Sequence, residues 1–209
     1  MKKNNYIILG GLLLASASVL ALNFYLGKSH KTLVSNDDLI ITKPKKLFAS
    51  KVVFLWGGLH FADPQWMLSQ IPNTILNKYT FLIVPYNTSL SSVKSSYKAE
   101  FNKDVKEKNL MLVGFSAGAK IPQQVYSNDF ELVGLIDPST DSQLAKKSYG
   151  ENTVLTYNLP NWSGLPSIYK QLPILRESVV SSGGKAIELK LSHKKFVKYF
   201  FENLKWLKN

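Results

Sequence analysis

The sequence predicts an α/β domain, a mainly parallel sheet with helices on both faces, preceded by an apolar N-terminal helix. From residue 51 onward, short and nearly all-apolar runs of strand length alternate with segments whose apolar residues recur at helical spacing. Strands that read as continuous apolar runs are those covered on both faces, which is the habit of parallel sheets. Ahead of them, residues 6–27 carry no charge over a length that can cross a hydrocarbon layer.

Tyr6 to Gly27 follows Lys2 and Lys3. At a rise of about 1.5 Å per residue, roughly 20 apolar residues span a core about 30 Å thick. Ala15-Ser16-Ala17 offers small residues for cleavage, but apolar sequence continues beyond it. An uncleaved signal anchor over 1–27 is therefore preferred to a cleaved signal peptide. Lys28, Lys31, Lys43, Lys45 and Lys46 outnumber the lysines ahead of the span, so the charge rule leaves its orientation open. A membrane-anchored or exported domain, on the extracytoplasmic side, is the expectation. Residues 28–50 read as a basic tether whose apolar patch at Leu39–Ile41 can add an edge strand, and 51–209 as one domain.

Within that domain, Lys51–Trp56 is the first core strand and ends in Gly57-Gly58; Tyr79–Pro85 is the second. Val93, Tyr97, Phe101 and Val105 recur every four residues and define one face of a helix. Leu110–Val113 is a third strand, and Ala117–Tyr126 a helix that must hold Pro122 in its first turn. Leu132–Ile136 and Thr153–Tyr157 are further strands. Ile168–Ser181 reads as a helix stopped by Gly183-Gly184, followed by the strand Ala186–Leu191. Lys194–Leu207 is an amphipathic helix with Phe196, Phe200, Leu204 and Leu207 on one side, fit for sheet packing or, less simply, for a membrane surface.

The composition narrows the chemistry. There are no cysteines, which removes disulfides, thiolate nucleophiles and cysteine-ligated metals. The formal charge of +12 is almost all lysine, since Arg176 is the one arginine. Base reading and bidentate phosphate recognition favour arginine, so no nucleic-acid partner is expected; diffuse lysine charge suits a solvated surface or anionic lipid.

Gly114-Phe115-Ser116-Ala117-Gly118 follows a strand directly and precedes a helical segment directly. A strand that turns sharply into a helix holds its serine in strained backbone geometry, and side chains two positions either side would collide there. The helix start that follows directs N–H groups at developing negative charge. Ser116 is thus a candidate nucleophile, and a hydroxyl nucleophile needs a base. Of the histidines, His30 lies in the tether, His60 follows the first core strand, and only His193 comes after the serine, beyond the last strand. In the chain order Ser…acid…His of the α/β-hydrolases, which this turn resembles, the acid that orients the histidine leaves a strand between the two. Asp137, at the end of Leu135-Ile136-Asp137-Pro138, is the candidate, with Asp141 in reserve; Glu151 and Glu177 are worse placed. For the oxyanion, the N–H of Ala117 pairs with that of Gly58 or Leu59 after the first core strand, where glycines let backbone approach substrate. His60 can line the site or cap its loop.

Through Gly57-Gly58, the turn at 114–118, Asp137 and His193, residues 51–209 resemble the α/β-hydrolase superfamily. The resemblance implies a Ser–His–acid triad, an acyl-enzyme intermediate and no metal or organic cofactor. Members more often carry the acid one strand later, where this chain reads Tyr157-Asn158; lipase-like members use the earlier position, which Asp137-Pro138 matches. The oxyanion loop reads Gly-Gly-Leu-His in place of the His-Gly-Gly of many lipases and esterases. The expected activity is hydrolysis of a carboxylic ester, small or lipid, by a tethered or exported esterase or lipase. Thioesterase, acyltransferase or amidase chemistry on the same residues, or a silent hydrolase fold used for binding, are the alternatives. Residues 138–170, with Leu159, Pro160, Trp162, Leu165 and Pro166, form a candidate apolar flap.

Overall fold

The computed structural model describes residues 30–44, 51–59, 62–158 and 170–207. Its centre is an eight-stranded sheet of order β1-β2-β4-β3-β5-β6-β7-β8. The strands are β1 (His30–Ser35), β2 (Ile40–Pro44), β3 (Val52–Trp56), β4 (Thr80–Val84), β5 (Leu110–Phe115), β6 (Leu132–Ile136), β7 (Thr153–Tyr157) and β8 (Lys185–Glu188). From β4 to β8 every neighbouring pair is parallel. Each residue of β3, β4, β5, β6 and β7 is buried, as near-continuous apolar runs require.

Successive side chains of a strand point to opposite faces, and the core divides accordingly. Val53 and Leu55 of β3 join a cluster with Phe81, Ile83, Met111 and Val113, covered by Met67, Phe196, Phe200 and Phe201. Val52, Phe54 and Trp56 join the opposite cluster with Leu82, Leu110, Leu112 and Leu135, covered by Val93, Tyr97, Leu172, Leu175 and Val179. The first face carries the helices Pro64–Ser69, Asn73–Leu76 and Lys195–Glu202; the second carries Leu90–Phe101, Lys120–Gln124 and Leu172–Ser181.

Several elements differ from the sequence expectation for local reasons. The helix carrying Val93, Tyr97 and Phe101 stops at Asn102, whose φ of 49° is left-handed, so Val105 lies past its end yet still packs on the same cluster. The C-terminal helix breaks at Asn203, which donates both its N–H (3.1 Å) and its side-chain amide (2.9 Å) to the carbonyl of Tyr199. Phe196, Phe200 and Leu204 are buried in the sheet-packed cluster, and the side chain of Leu207 lies outside the described residues. The short helices Pro64–Ser69 and Ser142–Ala145 have too few residues to show a period; Asp63 and Asp141 cap them.

The stretch 28–50 is a tether only in part. Residues 30–44 fold into the antiparallel pair β1–β2, and β2 joins β4. The turn between them is held by Asn36 Oδ1, which accepts from the N–H groups of Asp38 (3.0 Å) and Leu39 (2.7 Å). Burial of Ile40, Ile41 and Thr42 extends the core onto this edge. The apolar segment 6–27 lies outside the described residues, among which no helix is long and apolar enough to cross a membrane.

Gly134 in β6 leaves the space that the Phe200 ring occupies: a Cβ there would lie 2.6 Å from its Cζ. Phe200 is fully buried, so Phe200→Ala is expected to lower the unfolding free energy by about 3–5 kcal/mol in denaturant titration.

Candidate active site

The turn that ends β5 carries the geometry expected of a presented serine. Ser116 has φ 53°, in the left-handed region that costs a non-glycine residue about 1–3 kcal/mol and persists only where its surroundings hold it. A 3₁₀ turn, Ser116–Ala119, follows, then the helix Lys120–Gln124. Pro122 falls at the third position of that helix, where its missing N–H has no helical partner to lose. The glycines are required by space. A Cβ on Gly114 would lie 2.5 Å from Ala119 Cα; one on Gly118 would lie 2.8 Å from the Trp56 carbonyl oxygen and closer still to that of Gly57.

Gly118 therefore admits the loop leaving β3 against the turn. Gly58 touches Ser116 so closely that a Cβ on it would stand 3.1 Å from the serine Cβ. The N–H of Gly57 donates to the Val84 carbonyl at 2.9 Å, which removes it from the candidate oxyanion donors. Leu59 is exposed. Ala117, directly after Ser116, is buried in the turn. His60 and Phe61 lie outside the described residues.

Asp137 leaves β6 in a left-handed conformation of its own, φ 40°, and is 5 % exposed. Its N–H donates to the Thr156 carbonyl at 2.7 Å, and its Oδ1 accepts from the Asn158 N–H at 3.3 Å. Its Oδ2 stands 2.5 Å from His193 Nδ1. Asp141 serves instead as a helix cap, its Oδ1 accepting from the N–H groups of Gln143 (3.1 Å) and Leu144 (2.9 Å). Glu151 precedes β7 at the other end of that strand, and Glu177 is inside the helix Leu172–Ser181.

His193 sits in the loop between β8 and the helix Lys195–Glu202, its side chain 30 % exposed. The imidazole packs on Phe115, with ring centroids 4.5 Å apart and planes inclined by 31°. Phe115 is fully buried and is also in contact with Trp66, ring centroids 5.8 Å apart. The residue before the serine thus forms a shelf for the histidine. Ser116, Asp137, His193, Gly58 and Ala117, which the sequence singles out far apart along the chain, share one end of the sheet.

Three contributors escape the sequence reading. Phe115 is one. Asn158 is the second: its backbone meets the Asp137 carboxylate while its Nδ2 donates to the Leu191 carbonyl at 3.2 Å, in the loop that carries His193. The residue at the β7 exit is noticed in the sequence only as the absence of a carboxylate. The third is Gln123, a residue type usually exposed and here fully buried. Nearby, Lys147 donates to the carbonyls of Gln123 (2.9 Å) and Gln124 (3.1 Å) at the C-terminal end of the turn's helix. Burial there pulls its pKa below the ordinary lysine value.

Of the candidate flap, the part up to Asn158 is turn, short helix and β7, with Leu144, Ala145 and Tyr149 buried against the sheet. Leu159, Pro160, Trp162, Leu165 and Pro166 lie outside the described residues.

With strand order and turn in view, the class of fold is defined: the chain has the α/β-hydrolase fold, and the likeness of fold extends over most of its length. An esterase domain from Rhodothermus marinus superposes with a TM-score of 0.61 at 11 % identity, over 86 % of this chain and 98 % of the other. A ferulic acid esterase gives a TM-score of 0.58 at 9 % identity, over 86 % and 96 %. An alpha-beta serine hydrolase homologue from Coxiella burnetii gives 0.53 at 14 % identity, over 86 % and 94 %. No family model and no curated protein matches the sequence. At these identities the likeness is one of fold, and the chemistry must be argued from this chain's own side chains.

Proposed function

We propose that the protein is a serine hydrolase that cleaves carboxylic esters through an acyl-enzyme. The observation that carries this reading is the Asp137–His193 contact at 2.5 Å beside a serine whose φ is 53°. A carboxylate on Nδ1 holds the proton there and leaves the Nε2 lone pair as the base. Nε2 takes the Ser116 proton as Oγ attacks the ester carbonyl. The N–H groups of Ala117 and of Gly58 or Leu59 receive the oxyanion. Collapse expels the alcohol, protonated by the imidazolium, and leaves Ser116 acylated; a water activated by the same imidazole then releases the acid. Asp137 stabilises the imidazolium at both stages.

A fluorophosphonate probe should label the native protein and fail on Ser116→Ala; a protein that stays unlabelled would be a binding module on a hydrolase fold. Ser116→Ala and His193→Ala should each lower ester turnover by about six orders of magnitude, and Asp137→Asn by about four. Turnover indifferent to His193→Ala sinks the assignment of the base. A panel of oxygen esters, thioesters and amides of graded acyl length separates esterase from lipase, thioesterase and amidase, and product analysis with added alcohol detects acyl transfer.

We further propose that residues 6–27 tether this domain to a membrane, on its extracytoplasmic side, with lysine charge favouring anionic lipid. Support for a workable tether comes from strand direction. β1 is antiparallel to β2, and β2 to β4, so β1 runs with the parallel strands and His30 begins at the end opposite Ser116. A tether joining the domain at His30 would enter at the end of the sheet away from the site. The full chain should sediment with vesicles and resist alkaline extraction, while a chain lacking residues 1–27 should stay in solution; equal extraction of both contradicts the tether.

A further inference from the structure

Gln123 is fully buried in the helix that follows the serine turn, and Ser139 and Thr140, in the turn after Asp137, are 5 % and 2 % exposed. A glutamine amide offers two donor hydrogens and an acceptor oxygen. Here both hydrogens and the oxygen are engaged: Nε2 donates to the Ala119 carbonyl at 3.0 Å and to the Ser139 carbonyl at 3.2 Å, and Oε1 accepts from Thr140 Oγ1 at 2.7 Å. The same turn is tied to the nucleophile itself, since the Ser139 N–H donates to the Ser116 carbonyl at 2.9 Å. The segment just past Asp137 is thus fastened to the segment that carries Ser116 by three hydrogen bonds, two of them through one side chain. None passes through His193.

A methionine or leucine would fill such a site with no polar atoms to satisfy, so filling space does not explain a buried amide. What the amide adds is direction. Asp137 is in a left-handed conformation, φ 40°, with its N–H held by Thr156 on the β7 side. The Gln123 bonds hold the far side of that turn to the serine helix, so the carboxylate has little freedom to shift relative to the serine. An error of about 1 Å in such a placement can cost about 100-fold in rate.

We propose that Gln123 is a positioning residue that sets the distance between Asp137 and Ser116, and through it the seat of the His193 imidazole. The proposal rests on the hydrolase reading of Ser116, His193 and Asp137, and its test separates the two. Gln123→Met removes the amide at nearly constant volume. It should lower kcat for an oxygen ester by about 10- to 100-fold with KM changed less than about 3-fold. Thr140→Val should act in the same direction, and Thr140→Ser, which keeps the hydroxyl, should restore near wild-type turnover. The decisive arm is the cycle with Asp137→Asn. If Gln123 acts through the acid, Gln123→Met should change turnover and the fluorophosphonate labelling rate of Asp137→Asn by less than about 3-fold. An equal fractional loss in both backgrounds, or a loss confined to KM, overturns the proposal. Should Gln123→Met fail to fold, the Thr140→Val and Thr140→Ser pair runs the same cycle. A wild type that neither labels nor hydrolyses ester overturns the hydrolase reading and this inference with it; an active wild type with an additive cycle overturns this inference alone.

Discussion

The close approach between the end of β3 and the turn after β5 is the constraint on which the rest of the site depends. The carbonyls of Trp56 and Gly57 occupy the space that any side chain at residue 118 would need, and Gly58 rests against the Cβ of Ser116. Those contacts make a left-handed serine tolerable, because a residue in that conformation persists only where its neighbours over-determine it. They also bring the backbone of Gly58 against the serine. One steric arrangement thus holds the serine turn and sets Gly58 against it, and Gly58, Gly114 and Gly118 are what it asks of the sequence.

Everything else arrives by strand order. In a parallel sheet all strands end on the same side, and crevices outside those ends collect the loops. Gly58 follows β3, Ser116 follows β5, Asp137 follows β6, Asn158 follows β7 and His193 lies beyond β8. Because β5, β6, β7 and β8 are consecutive neighbours, the serine, the acid and the histidine come from nearby positions across the sheet. Asn158, between acid and histidine, links one to the loop of the other. The polar links then have short distances to cover: 2.5 Å from Asp137 to His193, and 2.9 Å from Ser139 to the carbonyl of Ser116.

The parallel core was legible because its strands are buried on both faces, which makes them apolar throughout; the expected bounds of Leu132–Ile136 and Thr153–Tyr157 coincide with β6 and β7. Ser116, Asp137 and His193 could be named as candidates because the chemistry proposed for them demands particular residue types at strand exits. The choice between Asp137 and Asp141 turns on geometry that four residues of sequence do not reveal: one carboxylate faces an imidazole, the other caps a helix. β1 was obscured by its lysine and exposed positions, which an edge strand tolerates. Gln123 and Phe115 left no signal, since nothing in a glutamine or a phenylalanine says what it will touch once buried.

The chemistry proposed for this site stands or falls on whether Ser116 forms a covalent acyl intermediate. Rapid mixing with an aryl ester, quenching in acid and peptide mass analysis tests it most directly. The expected result is one acyl group on the peptide containing Ser116, formed in a burst with about one equivalent of released phenol and absent from Ser116→Ala. Steady ester turnover with no acylated Ser116 peptide, or with the acyl group on another residue, would contradict it.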